Sequence, residues 1–231
     1  MKPSKAVLSR PELTYVAPMA VFLLLSAFEG ILPKDGGTIR ASSYAAFYSV
    51  KITIVTVVLW LCRSNWSDLR PRPSTAWISA SVLLGAVVIA FWIGLDGRYP
   101  ALPQQSTRAG FDPRALPLSW RAPFIAIRLY GLVLVVPLME ELFWRSFLIR
   151  WIARPDFRGI PIGRVTPIGV IVTSALFAVA HPEWLPALLT GLLWAGLLWK
   201  SRSVTACWIS HLTANLLLGI YILTQSAWRF W

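Results

Sequence analysis

The sequence has 231 residues, of which 56% are hydrophobic and only 14% are charged. In soluble domains roughly 45–50% of residues are hydrophobic and about 25% are charged, so this composition argues against a soluble globular domain. The high hydrophobic fraction also excludes intrinsic disorder. The formal net charge is +12. Because the basic residues lie mostly between apolar stretches, we attribute this charge to loops that face anionic lipid, and we expect no nucleic-acid partner.

Seven apolar stretches are long enough for membrane helices, since a span needs about 20 mostly apolar residues. Barrel strands would alternate strictly between apolar and polar residues, and these stretches do not. We therefore predict an all-α, polytopic helical bundle with about seven spans (six to eight). In chain order the predicted spans are 15–32, 44–62, 77–95, 122–151, 167–181, 184–199 and 204–224.

Turn-forming residues separate the spans, and the longest connection, 96–121, carries four prolines. We predict an irregular loop there, with a short interfacial helix. This divides the chain into a membrane region of about three spans and a loop, residues 1–121, and a core of about four spans, residues 122–231. Cys62 and Cys207 lie in or beside apolar stretches, so we interpret both as small core residues without a disulfide or metal role.

The distribution of basic residues predicts the orientation. If all seven spans cross, an arrangement with the N-terminus in the cytoplasm places thirteen Lys and Arg on the cytoplasmic side and seven on the other. This bias predicts a cytoplasmic N-terminus and a C-terminus on the far side. Residues 1–10 are basic and lead into the first apolar stretch without a clear cleavage site, so we expect a retained span.

Ionisable side chains inside apolar spans are costly and indicate function by default. In the fourth span, Glu140 and Glu141 are adjacent and project about 100° apart on a helix. Glu141 and Arg145 have the i,i+4 spacing of an ion pair, which leaves Glu140 as the carboxylate available for chemistry. Pro137 is expected to loosen the helix one turn earlier.

The two histidines of the chain also lie in or at apolar spans. His181 follows Phe177 by four residues and is followed by a proline that marks a helix break. His211 and Asn215 are four residues apart and face the same way. Two other charges have simpler interpretations: Lys51 snorkels or pairs with an acid such as Glu29, and Arg128 reaches the interface.

Together these side chains could activate a water molecule. A buried carboxylate can act as general base, a histidine can share the water, and a second histidine with an amide can donate to a developing oxyanion. One difficulty is depth, because Glu140 lies near mid-span whereas His181 lies toward the end of its helix. The absence of a GxSxG sequence gives no support to a serine mechanism.

The segments MEELFWRSFLIR, FAVAH and HLTAN resemble the EExxxR, FxxxH and HxxxN signatures of the CPBP (CAAX-processing and bacteriocin-processing, or Abi) intramembrane proteases. The resemblance covers about 122–219 and implies a CAAX-protease/Abi-like core. It implies that Glu140 is the general base, that His181 helps to bind the water, and that His211 and Asn215 form the oxyanion site. Glu141 and Arg145 would be supporting residues. The wider sequence is also similar to the subgroup found with bacterial exosortase and PEP-CTERM sorting systems.

The resemblance leaves the cofactor open. We favour a metal-free mechanism because Asn is a poor zinc ligand, but Glu140, His181 and His211 could supply a three-ligand zinc site. The expected activity is endopeptidase cleavage of a membrane-anchored protein or peptide in the bilayer of the bacterial cytoplasmic (inner) membrane. A catalytically silent immunity or scaffold protein is the first alternative, and a small transporter is the second.

Overall fold

The computed structural model describes residues 11–70, 72–100 and 110–231. The basic N-terminal segment, with Lys2, Lys5 and Arg10, lies outside the described residues, as does the middle of the proline-containing loop, with Pro103 and Arg108.

Seven helices build the described part of the chain, and they coincide with the seven predicted spans. Their bounds are α1 (Pro11–Ala27), α2 (Ala41–Leu61), α3 (Thr75–Leu95), α4 (Leu118–Ala153), α5 (Pro167–Val179), α6 (Trp184–Ser201) and α7 (Val204–Gln225). Short 3₁₀ turns lie at Phe28–Ile31, Arg63–Leu69, Pro113–Ala115, Phe157–Gly159 and Trp228–Phe230. The all-α polytopic bundle predicted from the sequence is confirmed.

A two-stranded antiparallel hairpin connects α1 and α2. It consists of β1 (Lys34–Asp35) and β2 (Thr38–Ile39), with Lys34 opposite Ile39. Both residues of its two-residue turn, Gly36 and Gly37, have positive φ, a conformation that glycine adopts without steric cost.

Five helices are long and apolar enough to cross a membrane: α1 with its following turn, α2, α3, α4 and α7. The helix α5 has only 13 residues. At 1.5 Å per residue it rises about 20 Å, less than the roughly 30 Å hydrocarbon core. His181, two residues after the end of this short helix, lines the same cavity as Glu140, so the predicted difference in depth does not separate them.

The helix α4 is the longest element and contains two wide turns. It begins at Leu118, four residues before the predicted span, because its polar first turn carries no apolar signal. Its 36 residues would extend about 54 Å as a regular helix. The π-helical segments Gly131–Val135 and Leu142–Leu148 flank the two glutamates. Pro137 follows the first segment, as expected of a residue that cannot donate the regular backbone hydrogen bond.

Two close helix pairs position the later elements. In the pair α3–α7, a Cβ on Gly85 would lie 2.5 Å from the backbone oxygen of Ser210. In the pair α5–α6, a Cβ on Gly191 would lie 2.9 Å from the Cα of Ser174. Small residues at these crossings let the helix backbones approach closely, as is common in membrane bundles.

The two predicted regions share one hydrophobic core, with Val55 of α2 and Val88 of α3 in the same buried cluster as Ile149 of α4 and Ala206 of α7. The division of the chain into the regions 1–121 and 122–231 therefore stays a prediction from the sequence. Cys207 is buried and Cys62 partly buried, and both are free thiols.

Candidate active site

A cavity of about 800 Å³ opens inside the bundle. Its wall includes Glu140 of α4, His181 just after α5, and His211 and Asn215 of α7. The four residues predicted to do chemistry come from three helices and line one cavity. Their catalytic roles stay predictions.

Glu141 points away from the cavity into a buried ionic cluster. Its Oε2 lies 3.6 Å from Nε of Arg145, and its Oε1 accepts a hydrogen bond from Nδ1 of His211 at 2.9 Å. All three side chains are buried, with Glu141 fully so. The predicted Glu141–Arg145 ion pair is therefore present, and it has a third member that spacing along one helix could not reveal.

Aromatic rings hold this cluster in place. The indole of Trp194 lies 4.2 Å from the imidazole of His211, measured between ring centroids. The guanidinium of Arg145 lies 5.1 Å from the Phe177 ring and 5.5 Å from the Trp194 ring. The Trp194 N–H donates to Ser210 at 3.0 Å, which prevents rotation of the indole. The rings exclude water, so the charges in the cluster interact in a low dielectric.

His181 is oriented by its own helix. Its Nδ1 donates to the backbone oxygen of Phe177 at 2.7 Å, because a carbonyl can only accept. In the neutral imidazole the Nε2 atom is then the hydrogen-bond acceptor. The ring also packs on Phe177 and against the edge of Trp92. The helix ends at Val179, before the proline, and His181 still reaches the cavity.

Asn215 is oriented by the wide turn of α4. Its Nδ2 donates to the backbone oxygen of Leu132 at 2.8 Å. Leu132 belongs to the π-helical segment, where the regular backbone ladder is interrupted and a carbonyl can accept from a side chain. The amide has two N–H groups, so one remains for a ligand in the cavity.

The structure adds residues that the sequence analysis did not select. Trp92 and Trp194 line the cavity. The indole N–H of Trp92 donates to Thr190 of α6 at 3.0 Å, a contact between helices that are distant in sequence. Trp60, Trp120 and Trp199 lie near helix ends instead and are each more than half exposed, as is typical of tryptophans at a membrane interface.

The two isolated cations behave differently. Lys51 forms the predicted ion pair with Glu29. Arg128 lies on the cavity wall, and its guanidinium carbon is 4.2 Å from the centroid of the Tyr48 ring; that it reaches the interface stays a prediction. Helix packing placed Arg128 inward because α2 covers this face of α4.

The alternative mechanism would need three protein ligands for a zinc ion. Among the described ranges, no three His, Cys, Asp or Glu side chains are close enough together to hold a metal ion. As arranged, Glu140, His181 and His211 do not form a three-ligand site, so we derive no step through zinc.

These features define the class: the chain is an integral membrane protein, an all-α bundle with a cavity inside it that is lined in part by polar side chains. Residues 122–217 match the family described as type II CAAX prenyl endopeptidase, Rce1-like. The match covers the part of the chain that carries the sequence motifs, and it confirms their resemblance to the CPBP family. Comparisons with curated proteins and with solved structures gave no significant match.

Proposed function

We propose that this protein is an intramembrane endopeptidase that hydrolyses a peptide bond of a membrane-anchored protein or peptide. The observation that carries the proposal is the convergence of Glu140, His181, His211 and Asn215 on one cavity inside an Rce1-like domain. Hydrolysis without a covalent intermediate needs a base, an acceptor that holds the attacking water, and donors to the oxyanion. These side chains can fill all three roles.

In the proposed mechanism, a water molecule donates to Glu140 and to Nε2 of neutral His181. Glu140 takes the proton as the water oxygen attacks the substrate carbonyl carbon. The oxyanion accepts from the second amide N–H of Asn215 and from Nε2 of His211 in its doubly protonated form, in which Glu141 accepts from Nδ1. Glu140 then gives this proton to the nitrogen of the leaving amine as the C–N bond breaks. The products are a carboxylic acid and an amine.

Glu140→Gln tests the mechanism because it keeps the shape of the side chain and removes the base. We expect cleavage of membrane-anchored peptides, followed by mass spectrometry, to fall at least about a hundredfold. Glu12→Gln, outside the cavity wall, is the matched control and should cleave normally. Equal cleavage by Glu140→Gln and wild type would contradict the proposal.

The same variant separates the alternatives. A scaffold or immunity protein should keep its cellular phenotype in Glu140→Gln, and a transporter should show altered proton-coupled uptake instead. Cleavage that is lost with a chelator and restored by zinc would favour the metal alternative over the metal-free mechanism.

We further propose that the protein resides in the bacterial cytoplasmic membrane with its N-terminus in the cytoplasm, where exosortase and PEP-CTERM sorting would be a candidate partner system. The support is the excess of basic residues on the predicted cytoplasmic side and the sequence similarity to that subgroup. A reporter active only outside the cytoplasm should be active when fused to the C-terminus, and inactivity there would reverse the orientation.

A further inference from the structure

A second pocket, of about 330 Å³, lies where two connections between helices meet. One connection is the loop between α4 and α5, and the other is the turn between α6 and α7. The wall of the pocket consists of Pro161, Gly163, Arg164, Val165, Trp199 and Arg202. None of these residues lines the larger cavity that contains Glu140. Two arginines from separate connections are therefore brought together outside the candidate active site.

Close backbone packing holds the two connections against each other. Gly163 has a φ of +82°, and a Cβ there would lie 2.7 Å from the Cα of Arg202. Arg202 itself ends α6 in the left-handed conformation, with a φ of 53°. Glycine is the usual residue at such a helix end because it has no Cβ. The backbone therefore gives no reason for an arginine at this position, and the reason must lie in its side chain.

Both arginines of the pocket are available to a ligand. They are exposed, and neither forms an ion pair within the ranges 11–70, 72–100 and 110–231. The acid closest in sequence, Asp156, pairs with Arg154 instead, at 3.7 Å. The segments 154–164 and 199–202 together carry five basic residues and one acidic residue. This concentration of positive charge around a concave site favours an anionic ligand.

An exposed apolar surface adjoins the pocket. On α5, which begins directly after the loop, Ile168 and Ile171 are each more than half exposed. On α6, Leu192, Gly196 and Trp199 have the spacing of one helix face and are all exposed. A Cβ on Gly196 would meet nothing within 4 Å, so this face has a shallow gap between the two larger side chains. The pocket therefore lies where a lipid-facing surface ends, at the level of the headgroups.

An anionic phospholipid fits this combination of charge and apolar surface. A guanidinium can donate two parallel hydrogen bonds to a phosphate, which arginine recognises by shape as well as by charge. Basic pockets at helix ends are typical binding sites for such headgroups. A zwitterionic lipid would bring its own ammonium group close to the two arginines, where it is repelled. An acidic protein segment would satisfy the charge but would leave the apolar face of α6 uncovered.

We propose that Arg164 and Arg202 form a binding site for one anionic phospholipid of the phosphatidylglycerol type. Both guanidinium groups hold the phosphate, and an acyl chain lies along the exposed face of α6. The bound lipid links the α4–α5 loop to the α6–α7 turn and so stabilises the folded chain. The site contains no residue of the proposed hydrolytic mechanism, so this inference stands or falls independently of that function.

Native mass spectrometry of the full chain in non-ionic micelles tests the site by counting bound lipids. The protein is titrated with phosphatidylglycerol and, separately, with phosphatidylcholine that carries the same acyl chains. We expect the first phosphatidylglycerol to bind about tenfold more tightly than phosphatidylcholine. The melting temperature should rise with phosphatidylglycerol only. Equal affinity for the two lipids would overturn the inference.

Arg202→Gly is the sharpest variant, because glycine suits the left-handed conformation and the fold is retained. Its melting temperature without lipid should equal or exceed that of the wild type. Its affinity for phosphatidylglycerol should fall about tenfold, as should that of Arg164→Gln. Arg158→Gln is the matched control, since it removes the same charge from the same loop outside the pocket wall. Its affinity should change by less than about twofold. An equal loss in this control would indicate diffuse attraction between charges and overturn the site.

Two competitors identify the chemistry of the ligand. Glycerophosphoglycerol is the same headgroup without acyl chains, so we expect it to displace the lipid only at concentrations about a hundredfold higher. Displacement at the concentration of the lipid itself would assign the site to a soluble phosphate compound. Displacement by hexaglutamate at that concentration would assign it to an acidic protein segment. Either result would overturn the assignment to a membrane lipid.

Discussion

Glu141 connects the buried guanidinium of Arg145 to the imidazole of His211, which lines the cavity. It is fully buried, pairs with Arg145 and accepts from His211. A carboxylate in this position accepts from Nδ1 of His211 and directs the Nε2 atom of the ring toward the cavity. Glu141 is thus a positioning residue in our proposal, and Glu140 is the residue that would touch the water.

Replacing Glu141 by Gln should affect both stability and activity. The buried guanidinium of Arg145 loses its counter-ion, and breaking a buried pair in this way costs about 3–5 kcal/mol of the free energy of unfolding. We also expect a large loss of cleavage. The glutamine can turn its NH₂ group toward Nδ1 of His211, and the imidazole then has no acceptor to hold it in position. Thermal unfolding in detergent and cleavage rates measure the two effects.

A double variant separates them. Glu141→Leu with Arg145→Met removes both charges, so stability should recover in large part. Activity should stay low, since His211 still lacks its acceptor. Recovery of activity together with stability would contradict the positioning role and leave Glu141 as a purely structural residue.

Among the elements, α7 depends most on its packing partner. It carries His211 and Asn215, and it lies against α3 at Gly85, where the backbones approach closely. The contact at Ser210 is directly next to His211 in sequence. The position of the imidazole in the cavity is therefore coupled to the absence of a side chain on α3.

Gly85→Ala should shift α7 and weaken the fold. The added Cβ would lie 2.5 Å from the Ser210 oxygen, which is backbone and cannot rotate away. Overpacking of this kind costs about 1–3 kcal/mol. Gly94→Ala is the matched control on the same helix, because a Cβ there meets nothing within 4 Å. The melting temperature and cleavage rate should fall for the first variant only, and equal behaviour of the two would show that the approach is not tight.

The bundle is tied together by a polar node on the side of α4 away from the cavity. Asp68, in the turn between α2 and α3, pairs with Arg150 at 2.7 Å and accepts from Tyr15 at 2.7 Å and from Ser146. One carboxylate thus connects α1, the turn and α4. Arg150 is only 5% exposed and depends on this partner.

Asp68→Asn should destabilise the whole bundle. Arg150 would keep its charge and lose its counter-ion, for an expected cost of about 2–4 kcal/mol, since the pair is partly accessible to water. The exposed pair of Arg154 and Asp156 provides the comparison, and Asp156→Asn should change stability by less than about 0.5 kcal/mol. Unfolding of both variants in detergent measures the difference, and a neutral Asp68→Asn would show that the node is not structural.

The sequence alone determined the class of the protein and most of its elements. Apolar stretches of span length have few alternatives in lipid, because every backbone group must be satisfied within a helix. The same logic singled out Glu140, His181, His211 and Asn215, since ionisable groups are rare and costly at that depth. Pairs on one helix, such as Glu141 and Arg145, also followed from the 3.6-residue period.

The tertiary structure decided the contacts between helices, which the 3.6-residue period of a single helix cannot encode. Contacts between helices joined His211 to Glu141, stacked Trp194 on His211, and placed Arg128 beside Tyr48 on the cavity wall. The wide turn at Leu132, which receives Asn215, and the short rise of α5, which brings His181 to the cavity, likewise depend on packing. Local preference sets where a helix forms, but the direction in which its side chains face depends on neighbours that are distant along the chain.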